Sequence, residues 1–169
     1  MPILKSLLNF LNKNKIKFEI IKHRIVYTAY DKAATLKIKP PTVVKSVIIA
    51  LDKKEHALAL IPANKNLDKK KLLQSINAVR KKSALNLVKK IDFADERWMK
   101  KNLKGIKVGA TPPFGLLYKL PTFIDNALAR QPKLIVNAGD YKNSLKISPA
   151  SLFKSDMTIT KGGFSQNKK

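Results

Sequence analysis

The stretch VVKSVIIAL, residues 43–51, and the stretch ALALIPA, residues 57–63, decide the fold of this chain. Each is a continuous apolar run, and only the polar residues DKKEH separate the two. Runs of this kind, bounded by turns, are typical of central strands that are buried on both faces. We therefore predict two neighbouring buried strands at the centre of a sheet.

Helical patterns lie on both sides of these strands. Leucines recur at helical spacing within residues 3–13, and Thr28 and Asp68 are each placed to cap the helix that follows them. Residues 92–103 predict a further helix, and Pro149 is expected to begin a short last one. The sequence thus predicts five helices.

Shorter strands complete the pattern. One is predicted to end near His23, and three more are predicted at FID (123–125), LIVNAG (134–139) and LKIS (145–148). Helices and strands are intermixed around several buried strands, which indicates the α/β class, with an open sheet or a partial barrel.

The chain is expected to form a single domain. Its 169 residues contain no internal repeat and no second core, so the domain is predicted to span residues 1–157. The last segment, residues 158–169, is basic and has no apolar periodicity. We predict a flexible tail there.

Charge is the strongest compositional signal. The chain has 35 Lys and Arg against 11 Asp and Glu, a formal net charge of +24, and all but four of the cations are lysines. Such an excess indicates either a polyanionic partner or a generally basic proteome. Lysine attracts phosphate without the fork-shaped geometry of arginine, so a surface of this kind does not favour reading base pairs in a duplex groove.

Several chemistries are excluded by missing residues. There is no cysteine, and His23 and His56 are the only histidines, so neither a thiolate nor a zinc site is expected and no metal or cofactor is predicted. The zinc-protease, nucleophile-elbow and Walker motifs are absent. No apolar run is long enough to span a bilayer, which together with the missing cysteines favours a cytoplasmic protein without membrane contact.

Lys45 is the first candidate for a functional side chain. By strand alternation it shares a face with Val43, Val47 and Ile49, which places one ammonium on an apolar surface. Burial would lower its pKa and make it a directed hydrogen-bond donor or a charge that awaits an anion. The alternative is a lysine near a strand end that reaches water.

The loop GATPPFG, residues 109–115, is the second candidate. Glycine lets the backbone approach a ligand closely, and the double proline stiffens the chain. Exposed amide groups in such a loop could hold a carbonyl oxygen or an oxyanion. The alternative is a tight structural turn.

Seven segments occur in an order that resembles a known family. They are TAYDKAA (28–34), VVKSVI (43–48), LALIPANKNLD (58–68), GATPPFG (109–115), FIDNAL (123–128), VNAG (136–139) and ISPASLF (147–153). The series resembles the editing domain of bacterial prolyl-tRNA synthetases and its free-standing relatives, the YbaK-like trans-editing deacylases. Residues 140–143 lack the histidine that some members carry after the last glycine, which argues against the synthetase-inserted subgroup.

The resemblance implies a mixed, curved sheet flanked by helices and the hydrolysis of the ester that joins an amino acid to the terminal adenosine of tRNA. It implies that the lysine at position 45 is the central functional side chain. It also implies that a loop formed by Gly109, Ala110, Thr111, Pro112 and Pro113 positions the aminoacyl group. Further family positions near the pocket are Thr28, Ser46, Asp125 and Gly139.

The expected partner is aminoacyl-tRNA. An aminoacyl-tRNA synthetase as a second partner stays an open question, and the protein is expected to be a monomer. The tRNA-facing surface is assigned to five helix lysines, Lys69, Lys70, Lys71, Lys81 and Lys82. The alternative is that they only form the solvated face of the helix. The edited amino acid stays open among alanine, cysteine, serine and threonine. Two rival functions are a non-catalytic RNA-binding module and a basic structural protein.

Overall fold

The computed structural model describes residues 3–168. Within this range the helices are α1 (Lys5–Lys13), α2 (Ala29–Leu36), α3 (Lys69–Lys82), α4 (Glu96–Asn102), α5 (Asn126–Ala129) and α6 (Pro149–Ser155). The strands are β1 (Glu19–Lys22), β2 (Val44–Leu51), β3 (Glu55–Pro62), β4 (Lys65–Leu67), β5 (Ile91–Phe93), β6 (Thr122–Asp125), β7 (Leu134–Asn137), β8 (Asn143–Ile147), β9 (Thr160–Gly162) and β10 (Ser165–Asn167).

The two long apolar runs form the centre of a five-stranded sheet, as predicted. Its strand order is β5-β2-β3-β6-β9, with β2 and β3 antiparallel and β6 and β9 parallel to their neighbours. Alternate residues of each central strand enter different cores. Ile48 packs with α1 in the first core, whereas Ile49 packs with α3 in the second. Both faces of β2 are therefore buried, and this explains its uninterrupted apolar sequence.

A second sheet has three antiparallel strands. Its order is β1-β8-β7, and an isolated parallel bridge between Val43 and Ile135 connects it to the start of β2. The five-stranded sheet is mixed and helices flank the sheets, so the α/β prediction is confirmed.

The helix starts follow the predicted capping residues. The side chains of Thr28 and Asp68 accept hydrogen bonds from the backbone three residues later. The helix expected over residues 92–103 is shorter than predicted, because Ile91–Phe93 pairs with the end of β2 and the helix begins only after its cap, Asp95.

The prediction of a flexible tail is wrong for residues 160–167. Strand β9 pairs with β6, and β10 pairs with β4. Between them Phe164 is fully buried and packs edge-on against Phe123. A single buried ring with two short edge strands produces no periodicity, so the sequence pattern did not reveal this part of the fold. Within residues 3–168 no helix combines the length and the apolarity needed to cross a membrane.

Candidate functional site

A cavity lies where the edge of β2 is open. Strand β3 pairs with β2 along its whole length, so β5 and β7 share the opposite edge. Strand β7 meets this edge at Val43, and β5 pairs with it only from Ile49 onward. In the described chain no strand pairs with the edge between these points, and a cavity of about 430 Å³ lies there. We call it the first cavity. It is lined by Tyr27, Thr28, Ala29, Tyr30, Lys45, Ser46, Val47, Ile48, Phe93, Ala94, Met99, Val108, Gly109, Thr111, Asn137 and Lys168.

Lys45 stands in the wall of this cavity. Its ammonium donates a hydrogen bond to the backbone oxygen of Lys65 at 2.8 Å, and its side chain is half-buried. Burial, and then the nearby charge of Lys168, lower the pKa of Lys45 below its ordinary value. The ammonium is thus held beside the cavity with two of its three donor positions left for a ligand or water.

A second cavity, of about 640 Å³, adjoins the first. Both cavities have Lys45, Val47 and Phe93 in their walls, so these side chains form the boundary between them. The remaining wall of this second cavity is Ile61, Asn66, Leu67, Asp68, Lys69, Lys70 and Gln166.

The loop after residue 108 contributes its first residues to the first cavity. Gly109 has a φ of 85°, and a Cβ atom there would lie 3.2 Å from the backbone oxygen of Tyr27. Both the left-handed conformation and the close approach favour glycine. Gly109 and Thr111 line the cavity, whereas Ala110, Pro112 and Pro113 are buried behind its wall. The prolines therefore stiffen the loop and do not face the cavity.

A buried pair that the sequence analysis missed holds this loop in place. Asn137, at the end of β7, donates hydrogen bonds to the backbone oxygens of Thr111 at 3.2 Å and Gly109 at 3.4 Å. Its own oxygen accepts a bond of 2.6 Å from the ammonium of Lys32, which is only 4% exposed. Both side chains occur in quoted motif segments, but no sequence signal distinguishes Lys32 from the other lysines.

The pKa of Lys32 gives a test of this arrangement. Desolvation by burial lowers it from 10.5 to about 8, although the charge of Asp140 opposes the shift. Between these two pH values the unfolded chain binds a proton that the folded chain has lost. The free energy of unfolding should therefore rise with pH across this range, by an amount on the order of 3 kcal/mol.

We expect this rise to disappear in Lys32→Met. Urea unfolding of both proteins between pH 7 and 10.5 measures it, and the contributions of the other lysines cancel in the difference. Lys39→Met, at an exposed lysine, is the control and should keep the wild-type slope. Parallel curves for wild type and Lys32→Met would contradict the burial of the charge.

Thr28 and Ser46, two further residues of the predicted site, also line the first cavity. The Thr28 oxygen accepts the backbone N–H of Asp31 at 3.0 Å and so also caps α2. The Ser46 hydroxyl is buried and, within the described residues, has no hydrogen-bond partner. A buried hydroxyl beside a cavity is commonly satisfied by a ligand or water.

Asp125 and Gly139 lie outside the first cavity, in contrast to the expectation. The Asp125 carboxylate accepts backbone N–H groups from Ala127, Phe164 and Ser165 at 2.9, 2.9 and 3.0 Å. Gly139 holds the loop that follows residue 108, since its N–H donates to the backbone oxygen of Ala110 at 3.0 Å. Both residues act on the fold around the site.

The predicted tRNA-facing lysines divide along α3. Lys69 and Lys70 line the second cavity, while Lys71 is exposed outside its wall. Lys81 and Lys82 are exposed in the last turn, roughly 18 Å further along the helix. Only the first turn of α3 therefore contributes to the cavities.

Neither histidine lies in the first cavity. His23 contacts the Ser144 hydroxyl at 2.8 Å, and His56 stacks on Trp98 with ring centroids 3.7 Å apart. Among the described residues that line this cavity there is no Asp, Glu, His or Cys. Its polar groups are ammonium, hydroxyl, amide and backbone groups. They can bind and polarise an ester, but none of them is a carboxylate or an imidazole, the side chains that commonly act as general bases.

Solved structures of other proteins share this fold. A crystal structure of a hypothetical protein aligns with a TM-score of 0.78 at 17% identity, over 96% of this chain and 100% of that one. A protein described as a candidate trans-editing enzyme for prolyl-tRNA synthetase aligns with a TM-score of 0.73 at 17% identity, over 96% of each chain. The fold is thus that of the YbaK-like editing domains.

The sequence itself defines the family. Residues 23–155 match the model of the aminoacyl-tRNA editing domain, and the chain belongs to this family. The matched range begins at His23 and includes every described residue in the wall of the first cavity except Lys168.

Proposed function

We propose that this protein is a trans-editing deacylase, which hydrolyses the ester bond of mischarged aminoacyl-tRNA. The observation that carries the proposal is the convergence of Lys45, Gly109 and Thr111 on one cavity at the open edge of β2. The family membership supports the substrate class. A cytoplasmic location, where tRNA is charged, fits this role and is part of the proposal.

The reaction needs little from the protein. An aminoacyl ester is already activated, so a water molecule can attack its carbonyl carbon directly. The bond between that carbon and the ribose oxygen then breaks, the oxygen takes up a proton, and a free amino acid and an uncharged tRNA result. Lys45 would hold either the carbonyl oxygen of the ester, on which negative charge develops as water attacks, or the phosphate of the terminal adenosine.

The other cavity groups would orient the substrate. Backbone groups of Gly109 and Thr111 would contact the aminoacyl group, and Asn137, which also lines the cavity, holds these two residues by donating to their backbone oxygens. The neighbouring ribose hydroxyl of the substrate is the group best placed to activate the attacking water, because the cavity wall has no general base of its own in the described residues.

Specificity should depend on the apolar part of the wall, formed by Val47, Ile48, Met99 and Val108. A wall of this kind excludes large side chains sterically but discriminates a single methylene by only about 1 to 3 kcal/mol. Alanine, cysteine, serine and threonine are therefore all substrates to be tested.

A panel of tRNAs mischarged with these four amino acids tests the function. We expect loss of the ester above the rate of a reaction without protein for at least one member of the panel. Correctly charged tRNA carrying a large side chain serves as the matched control and should stay charged. Binding of the tRNAs without hydrolysis would instead support the rival function, a non-catalytic RNA-binding module of the same fold.

A further inference from the structure

The boundary between the two cavities carries an aromatic ring that the proposed chemistry does not use. Phe93 is the last residue of β5, and 57% of its surface is exposed. Its ring lies in the walls of both cavities. An exposed ring at this position contributes little to the core and is available to a ligand that extends from one cavity into the next.

Lysines lie at this boundary. The ammonium of Lys69 lies 4.2 Å from the centroid of Phe93, a cation–π contact. Lys45 stands at the same boundary, and Lys70 lines the second cavity. Asp68 is the one acidic residue in the described walls of the two cavities, and its carboxylate already accepts the backbone N–H of Lys71. The boundary therefore favours a polyanion.

The second cavity also has groups that suit a nucleobase. Asn66 and Gln166 are paired across strands β4 and β10 and place two side-chain amides in its wall. Amides can donate to and accept from the edge of a base. The volume of about 640 Å³ falls within the range of cavities that hold small ligands.

The same combination of an exposed ring and an ammonium recurs in the first cavity. Tyr30 is 51% exposed, and the ammonium of Lys168 lies 4.7 Å from its ring centroid. Aromatic rings interleaved with lysines are the usual platform for single-stranded nucleic acid, because the rings stack on bases and the cations hold the phosphates.

We propose that Phe93 stacks on the nucleotide that precedes the terminal adenosine of the RNA, with its base in the second cavity and its phosphates beside Lys45 and Lys69. This proposal rests on the proposed function, since it assumes that the terminal adenosine and its aminoacyl group occupy the first cavity. The unpaired end of the RNA would then pass from the second cavity over Phe93 into the first.

Binding of an uncharged RNA hairpin with a single-stranded CCA end tests the proposal. The full chain is titrated with this hairpin and with one in which the nucleotide before the terminal adenosine is an abasic ribose. Replacing Phe93 with alanine should weaken binding of the intact hairpin about 5- to 150-fold, the range for loss of one stacked base. Phe93→Trp should restore it. The abasic hairpin should bind wild type and Phe93→Ala equally.

The matched control is Leu87→Ala, at an apolar residue with the same 57% exposure that lines neither cavity. It should leave the affinity unchanged. Equal affinity of wild type and Phe93→Ala for the intact hairpin would overturn the proposal, and so would an equal loss for both hairpins. Because the RNA is uncharged, the result does not depend on hydrolysis, so failure of the deacylase function would be seen separately in the mischarged panel.

Discussion

Replacing Lys45 with alanine should lower kcat/KM for deacylation about 100- to 1,000-fold. A preorganised donor that meets developing negative charge contributes roughly 3 to 4 kcal/mol to such a step. The Lys45 ammonium is fixed by its bond to the oxygen of Lys65, beside the cavity that also contains Gly109 and Thr111. The measurement is the steady-state rate of hydrolysis at several concentrations of the mischarged tRNA that the panel identifies as a substrate.

The same experiment separates the two roles of Lys45. If the ammonium stabilises the oxyanion, kcat should fall with little change in KM, whereas a phosphate contact should appear mainly in KM. Lys146→Ala, at an exposed lysine of β8, is the control and should keep wild-type kinetics. Undiminished deacylation by Lys45→Ala would remove the lysine from the mechanism.

Replacing Asp125 with alanine should have the largest effect on stability. Its buried carboxylate accepts three backbone N–H groups, two of which belong to Phe164 and Ser165 in the last part of the chain. The variant leaves these groups without their acceptor and removes charge-assisted hydrogen bonds, so we expect a loss of about 3 to 5 kcal/mol in the free energy of unfolding. Urea unfolding followed by circular dichroism measures this loss.

Asp156→Ala is the matched control for this variant. Asp156 is also buried, but its carboxylate accepts from Thr158, only two residues later, and holds no distant strand. Its replacement should cost clearly less than that of Asp125. If both variants lost the same stability, the connection from Asp125 to the last strands would not be important for the fold.

Local patterns were enough to predict the central strands, the capped helices and the two features of the candidate site. Lys45 and the loop after residue 108 are conspicuous because a charge interrupts an apolar run and a glycine precedes a double proline. Their meeting in one cavity followed from the family resemblance and not from the pattern. Strand pairing between distant segments brings them together.

What could not be predicted depends on contacts between distant segments. The Lys32 ammonium reaches Asn137 across 105 positions of sequence, and neither residue is unusual in its own segment. Lys168 and Gln166 reach the cavities only because Asp125 and the pocket around Phe164 fix the last strands. Periodicity reports local structure, and it cannot report interactions of this range.

The unpaired edge of β2 places a second demand on position 45. An open strand edge can pair with the edge of another molecule, and proteins commonly prevent such aggregation with a charged side chain, especially lysine. The stretch from Val44 to Val47 is otherwise apolar except for Ser46, so Lys45 supplies the charge that discourages intermolecular pairing there. The open edge beside the first cavity therefore also requires protection against self-association, and the residue that we propose to hold the substrate supplies it.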